Sequence, residues 1–404
     1  MINRHSARLV LLLVIVLAAC TNNANSPTTV AVLPTSTVDT RLSPSIIPVH
    51  TPTLTPVPSA IPSPSPSPKP RLVASGRLFF VANTDSCQST LYTINADGSM
   101  LMNLNGNLNN IYGPSWSPDG QKIVFLSDPD GTTWQVFVMN YDGSNLKQVT
   151  QLIDDFDKGL MGAFGPAMSP DGKLIAFGRH TRNGPHLTGY SDIFMIRADG
   201  TGLYNLTHYN GTNAWHKWSP DGKYIAYISG RWEGTGLKYR FYIMQPNGEG
   251  NRALSPPQLD PVAYGAPAWS PDSKWIAFNS EQDGYLYAVS IDGKKLNKLT
   301  NQCTGNGPIW SPDGTRIACI NDNRLLYTVN TDGTHLTMLR DDVEWTVSPS
   351  WSPDSKWIAF EPSSALDQPR EIHIIGADGL NEYVLVSDLS NQCGIAAGDT
   401  SWQP

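Results

Sequence analysis

The sequence predicts an all-β fold, a seven-bladed β-propeller of four-stranded antiparallel blades, from three features. A block of Trp (once Met), Ser, Pro, Asp and Gly or Ser begins at Trp116, Met168, Trp218, Trp269, Trp310 and Trp351, and the decapeptide WSPDSKWIAF occurs twice, from Trp269 and from Trp351. The Asp positions lie 52, 50, 51, 41 and 41 residues apart, a period that points to stacked supersecondary units. Seven Asp/Asn-Gly pairs alternate with the blocks, at Asp97, Asp142, Asp199, Asn247, Asp292, Asp332 and Asp378, and such pairs are the strongest short hairpin cue.

Each blade follows from its turns. A short extended run ends at Trp-Ser, and Pro-Asp-Gly turns the chain: Pro presets φ, Asp bonds its own backbone, Gly accepts positive φ. Ser273 and Ser355 stand where Gly is usual and are expected to carry a small cost there. An apolar second strand follows, such as Ile123 to Leu126, then a variable loop and a third strand, such as Phe241 to Met244. The Asx-Gly turn leads to a fourth strand, as in Gln148-Val149-Thr150. The third strands carry a ring at one fixed position, Tyr92, Phe137, Phe194, Tyr242, Tyr287 and Tyr327, with His373 in the last blade; these rings are read as filling between blades. The first unit, Arg77 to Leu104, lacks a preceding block, and an orphan copy begins at Ser401-Trp402. The C-terminal strand is therefore expected to complete the N-terminal blade, because an open array leaves two unpaired sheet edges.

The block, with Ile-Ala-Phe after it and Asp-Gly further on, resembles the WD-like repeats of the TolB propeller family over residues 76–404. The resemblance implies the propeller fold; one fold hosts many activities, so it implies no reaction. The sequence departs from TolB in lacking that family's N-terminal α/β domain and in reading as seven blades rather than six, which argues against a role in the Tol–Pal system.

Residues 1–19 read as a signal peptide, with Arg4 and Arg8 before the apolar run Leu9 to Leu17, which is too short to span a bilayer. Leu17-Ala18-Ala19-Cys20 resembles a lipobox, so Cys20 is the expected lipidation site and membrane anchor. Residues 20–71 read as a disordered tether; 21–70 hold 12 Pro and 17 Ser or Thr with three charged residues, too little apolar surface to offset the ordering entropy. Extended, 50 such residues reach roughly 150 Å at ~3.1 Å each. Residues 72–404 are the propeller. The formal net charge is −7, and −9 once 1–19 leave; an acidic chain argues against nucleic acid as a partner.

Four cysteines remain after Cys20, which allow three pairings. Cys303 and Cys319 fall in one blade, and Cys393 and Cys87 at similar places in another. The expected disulfides are Cys303–Cys319 and Cys87–Cys393. No CxxC or HExxH spacing marks a metal site, no Gly-x-Ser-x-Gly elbow or phosphate loop is present, and no cofactor is expected.

Binding residues are sought on the long variable loops. Two residues before the block stands Pro in five copies, but His216, after Trp215, in blade 4, and Thr400, after Asp399, in blade 1. These are expected to look into the channel mouth. The longest interstrand loops, in blades 3 and 4, carry Arg179 and His180, then Arg231, Trp232 and Tyr239, and Arg among aromatics is the composition of a binding hot spot. The function read from this is a lipid-anchored, monomeric, non-enzymatic module that binds an envelope or extracellular protein or a glycan. The alternative is a propeller polysaccharide lyase or hydrolase working at the channel mouth.

Overall fold

The computed structural model describes residues 73–404 apart from 84–87, 107, 109, 155–161, 182–189, 209–210, 234–235, 257–258, 260, 262–264, 306, 345–347, 363–369 and 390–399. The signal segment, the tether with Cys20, and the Cys87–Cys393 pair lie outside the described residues.

The strands appear where the turns put them. After β1 (Arg77–Asn83), β2 (Ser89–Asn95) and β3 (Met102–Asn103), the chain makes β4 (Ile111–Trp116), β5 (Lys122–Ser127), β6 (Gln135–Asn140) and β7 (Lys147–Gln148). Next come β8 (Ala163–Met168), β9 (Leu174–Thr181), β10 (Tyr190–Arg197) and β11 (Tyr204–Asn205), then β12 (Thr212–Trp218), β13 (Ile225–Glu233), β14 (Gly236–Met244) and β15 (Arg252–Ala253). Three shorter sets follow: β16 (Ala268–Trp269), β17 (Trp275–Asn279), β18 (Leu286–Ser290) and β19 (Leu296–Thr300); β20 (Ile309–Trp310), β21 (Arg316–Ile320), β22 (Leu326–Asn330) and β23 (Thr337–Arg340); β24 (Ser350–Trp351), β25 (Trp357–Phe360), β26 (Arg370–Gly376) and β27 (Tyr383–Leu389). The last strand is β28 (Ser401–Trp402). Among the described residues these form five sheets of four strands and one of eight, which joins β8–β11 to β12–β15 through a parallel bridge, Ser191↔Thr212. The expected tail pairing is present: Leu78 faces Trp402 and Phe79 faces Ser401 in an antiparallel ladder.

One local network makes every block turn. In all six copies the Ser hydroxyl donates to the Asp carboxylate two residues on, at 2.6–2.7 Å. The same oxygen of Asp119 accepts the Gln121 N–H; together the Ser117 hydroxyl and that amide hold the Asp119 carboxyl below its usual range. The fourth strand β7 stops at Gln148, short of the Gln148-Val149-Thr150 run that the sequence predicts. At Thr150 the hydroxyl accepts the Val136 N–H, so a side chain replaces the ladder two residues past β7; Thr207 and Ser255 do the same for Ile193 and Phe241.

Apolar side chains gather between successive sheets. One cluster joins Leu78, Phe80 and Trp402 to Trp357, Ile372 and Tyr383; another joins Val124 and Val136 to Phe177 and Phe194. The fixed rings of the third strands each stack on an aromatic directly across the ladder, as in Phe125–Phe137 at 5.7 Å and Phe278–Tyr287 at 5.8 Å. In β21 the slot facing Tyr327 holds Cys319 instead, and it bonds Cys303 as expected, with Cα atoms 5.5 Å apart. The motif Trp ties neighbours together. Its indole donates to a carbonyl in the preceding copy: Trp269 to Lys217, Trp310 to Ala268, Trp351 to Ile309. Trp116 donates in this way to Ser401 of the tail.

Ser273 and Ser355 both sit at φ +60°, as the missing Gly predicts. Their hydroxyls offset the strain by accepting the N–H of Asp221 and Asp313 in the preceding copy, each at 3.0 Å. Ser273→Ala keeps the strained φ and removes the acceptor, so it should cost about 1–2 kcal/mol. Ser273→Gly loses the bond but relieves φ, so the two changes should nearly cancel. Urea denaturation of both variants checks this; an Ala variant as stable as the wild type would mean that the bond contributes nothing.

The chain enters beside the turns. The Gly76 carbonyl accepts the N–H of Ala96 next to the Asp97-Gly98 turn, and Ala74 N–H donates to the Tyr383 hydroxyl, which itself donates to the Ala96 carbonyl.

Candidate functional site

The end of the fold opposite these turns is uneven. Strands β9 and β10 run eight residues and β13 and β14 nine, against five for β17, β18, β21 and β22. The two long hairpins therefore project beyond the shorter ones at the loop end. They are braced where β10 meets β12. Asp192 is fully buried, and its carboxylate accepts from Thr207 at 2.7 Å, Asn205 at 3.0 Å and Asn213 at 3.2 Å. Burying a carboxylate is costly unless hydrogen bonds replace water, and these three come from both sides of the joint. Ser191 adds a bond to the Asn213 carbonyl at 2.9 Å.

The structure divides the sequence-predicted residues between surface and interior. Arg179 faces Asp192 across β9–β10; it is 7% exposed, and its guanidinium donates to the Ile153 carbonyl at 2.5 Å. It braces the loop leading into β8 and offers little surface to a ligand. Burial lifts the Asp154 carboxyl in that loop above its usual range, and Arg179 offsets part of the rise. His180, next in β9, is exposed and lies 4.7 Å from the Phe164 ring. Arg231 is half-buried, with its guanidinium 4.6 Å over the Tyr242 ring, a cation–π contact that fixes its plane. Tyr239 faces Gly230, and a Cβ on that glycine would come within 2.7 Å of the tyrosine ring. Arg231 and Tyr239 thus share one hairpin, joined through Asp192 to the hairpin of His180. Trp232 lies in β13, but its side chain is outside the described residues, as is Asp399.

The inner strand of this group corrects the reading of His216. It does not look into open solvent: it is 4% exposed, and neither ring nitrogen has a hydrogen-bond partner. The cause is a bulge between Ala214 and Lys217, which breaks the alternation of sides. It turns Trp215 out, 45% exposed at φ +56°, and His216 in. Burial pulls the His216 pKa down to about 4, with the Ala176 and Gly165 backbone pulling weakly the other way and Lys217 adding to the drop. Thr400, expected at the same level, is also buried.

Two aromatic residues escaped the sequence reading. Tyr112 and Phe164 stand four residues before the block in β4 and β8, each beginning a bulge like that of β12. Tyr112 is 51% exposed and its ring lies 6.1 Å from that of Trp134. The Phe164 ring lies over Gly178, where a Cβ would meet it at 2.2 Å. The signal was present as an aromatic at a fixed distance before two blocks, but a bulge had to be known to place it at the surface. Among the described residues no group of three His, Cys, Asp or Glu side chains is placed to hold a metal ion.

Comparison with known proteins places this arrangement. The TolB β-propeller domain family matches residues 61–183. An uncharacterized protein of Agrobacterium fabrum is 27% identical over 61% of this chain and 83% of its own length. The Tol-Pal system protein TolB of Francisella tularensis is 29% identical over 61% of this chain, which spans only 55% of that relative. Among solved structures, an oligogalacturonate lyase from Vibrio parahaemolyticus superposes with a TM-score of 0.55 at 12% identity, over 73% of this chain and 89% of that one, a likeness of fold alone. By its repeats, its four-stranded sheets and these relatives, the chain is a TolB-like β-propeller.

Proposed function

We propose that the protein is a non-enzymatic binding module, exported and held at the membrane by lipid on Cys20 through the tether of residues 20–71, with 72–404 forming a ring of seven blades sealed by β28. On this reading it binds an envelope or extracellular protein or a glycan at the loop end of the blades built from β8–β15. The observation that supports it most is the pair of long hairpins locked into one eight-stranded sheet around Asp192, since residues on rigid elements hold a binding geometry better than loops do.

The test replaces Arg231 and Tyr239 together by Ala. Capture of partners from a host envelope extract should drop at least ten-fold while the circular dichroism spectrum is retained. Undiminished capture removes this patch from the reading. Cleavage of an acidic polysaccharide by the wild-type protein would assign a lyase or hydrolase instead.

A further inference from the structure

The exposed apolar side chains are largely sorted by kind, Tyr204 being the exposed aromatic among those that follow the Asx-Gly turns. The aliphatic ones gather just after the Asx-Gly turns, as with Met100, Leu146, Leu203, Leu336, Met338 and Leu380. On the first strands of the copies, those that line the inside of a propeller, the large exposed hydrophobics are Tyr112 and Trp215, both aromatic. The exposed aliphatic at the loop end is Ile153, whose carbonyl is tied to Arg179.

Trp215 is the more informative of the two. The corresponding residues of β4 and β8 are Gly113 and Gly165, at φ +56° and +54°. The three bulges adopt the same left-handed backbone, which Gly takes freely and a bulky side chain does not. A tryptophan at this position accepts backbone strain without burying its ring. Next to it, His216 replaces the Pro of the other copies and seats its imidazole 3.9 Å from where a Cβ on Gly165 would be. Strain at one position, kept by the surroundings and spent on an exposed ring, marks function rather than packing.

We propose that Trp215 is a stacking platform for a sugar ring, and that the ligand of this loop end is a glycan. This rests on the reading of the loop end as a binding surface and names its ligand class. A pyranose presents a face of C–H groups that covers an indole, while its hydroxyls need polar partners at the rim, which is the division a binding site with few placed polar groups provides. His180 and Arg231 supply such partners on the neighbouring hairpins, and Tyr112 offers a second ring two copies away. A protein footprint would draw on exposed aliphatic side chains as well, and here those lie mainly at the other end of the blades.

The test is calorimetric titration of the full-length protein with chitohexaose, cellohexaose and hexagalacturonate, an amide-bearing, a neutral and an anionic chain. At least one should bind saturably, Trp215→Gly should weaken it ten-fold or more, and Trp215→Phe should retain most of the affinity. The thermal midpoint of the Gly variant should equal or exceed that of the wild type, since it restores the residue of the other bulges; Trp215→Asn, which also tolerates this φ, serves if the Gly variant misfolds. Equal binding by the wild type and both variants overturns the proposal, as does no binding of any of the three chains. In that last case, capture of a protein through Arg231 and Tyr239 would leave the binding reading standing, and its loss as well would remove both.

Discussion

Removal of residues 401–404 should unfold the protein or leave it associating through an open edge. β28 covers the edge of β1 through Leu78 and Phe79, and Trp402 is buried in the cluster that joins the first and last copies. The same residues supply the carbonyl that accepts the Trp116 indole, and Gln403 donates to the Gly120 carbonyl at 2.6 Å. Trp402→Ala alone should cost about 3–5 kcal/mol, as truncation of a buried Trp does, a large part of the roughly 5–15 kcal/mol that holds a typical domain. The deletion should cost more, because it also exposes a row of unpaired backbone groups. Thermal denaturation with size-exclusion chromatography reads both. A truncated protein that melts within a degree or two of the wild type and stays monomeric would show that the tail is not part of the fold.

The second large effect is a loss of stability in mild acid that depends on His216. Its folded pKa is about 4, against 6.5 for an ordinary histidine. Between those values the unfolded chain binds a proton that the folded chain refuses, so stability rises with pH there. The contribution is complete above about pH 6.5 and is lost as pH falls toward 4; the gap corresponds to about 3 kcal/mol. His216→Pro restores the residue of the other copies at a position the bulge leaves outside the ladder, so it should fold and lose this part of the acid slope. The measurement is the difference in urea midpoint between pH 7 and pH 4.5 for the wild type and the variant. Identical differences would mean that His216 is solvated or paired in solution.

Local chemistry explains how much could be read from the chain. The block turns, the positive φ of Ser273 and Ser355, the Cys303–Cys319 bond and the tail pairing all follow from residue types at short spacing or from one repeat compared with another. The candidate site was less legible because it depends on register. The place of His216 before the block put it at the channel mouth, and the bulge between Ala214 and Lys217 buries it instead. Arg179 looked like a surface charge, yet it faces Asp192, a residue thirteen positions on, and is held by a carbonyl from the preceding loop. Nothing local announces that β10 and β12 touch; the bridge at Ser191 and Thr212 exists because Asp192 and Asn213 find each other in three dimensions.

The position of β1 has a mechanical consequence. It lies between β28 and β2, bonded to both in antiparallel ladders, and the chain reaches it through Ala74 and Gly76. Ladder hydrogen bonds run across the strands, so tension arriving through residue 73 along β1 loads many of them at once rather than peeling them in turn. Pulled by its leading end, the propeller would resist in shear at the strand where the first and last repeats meet.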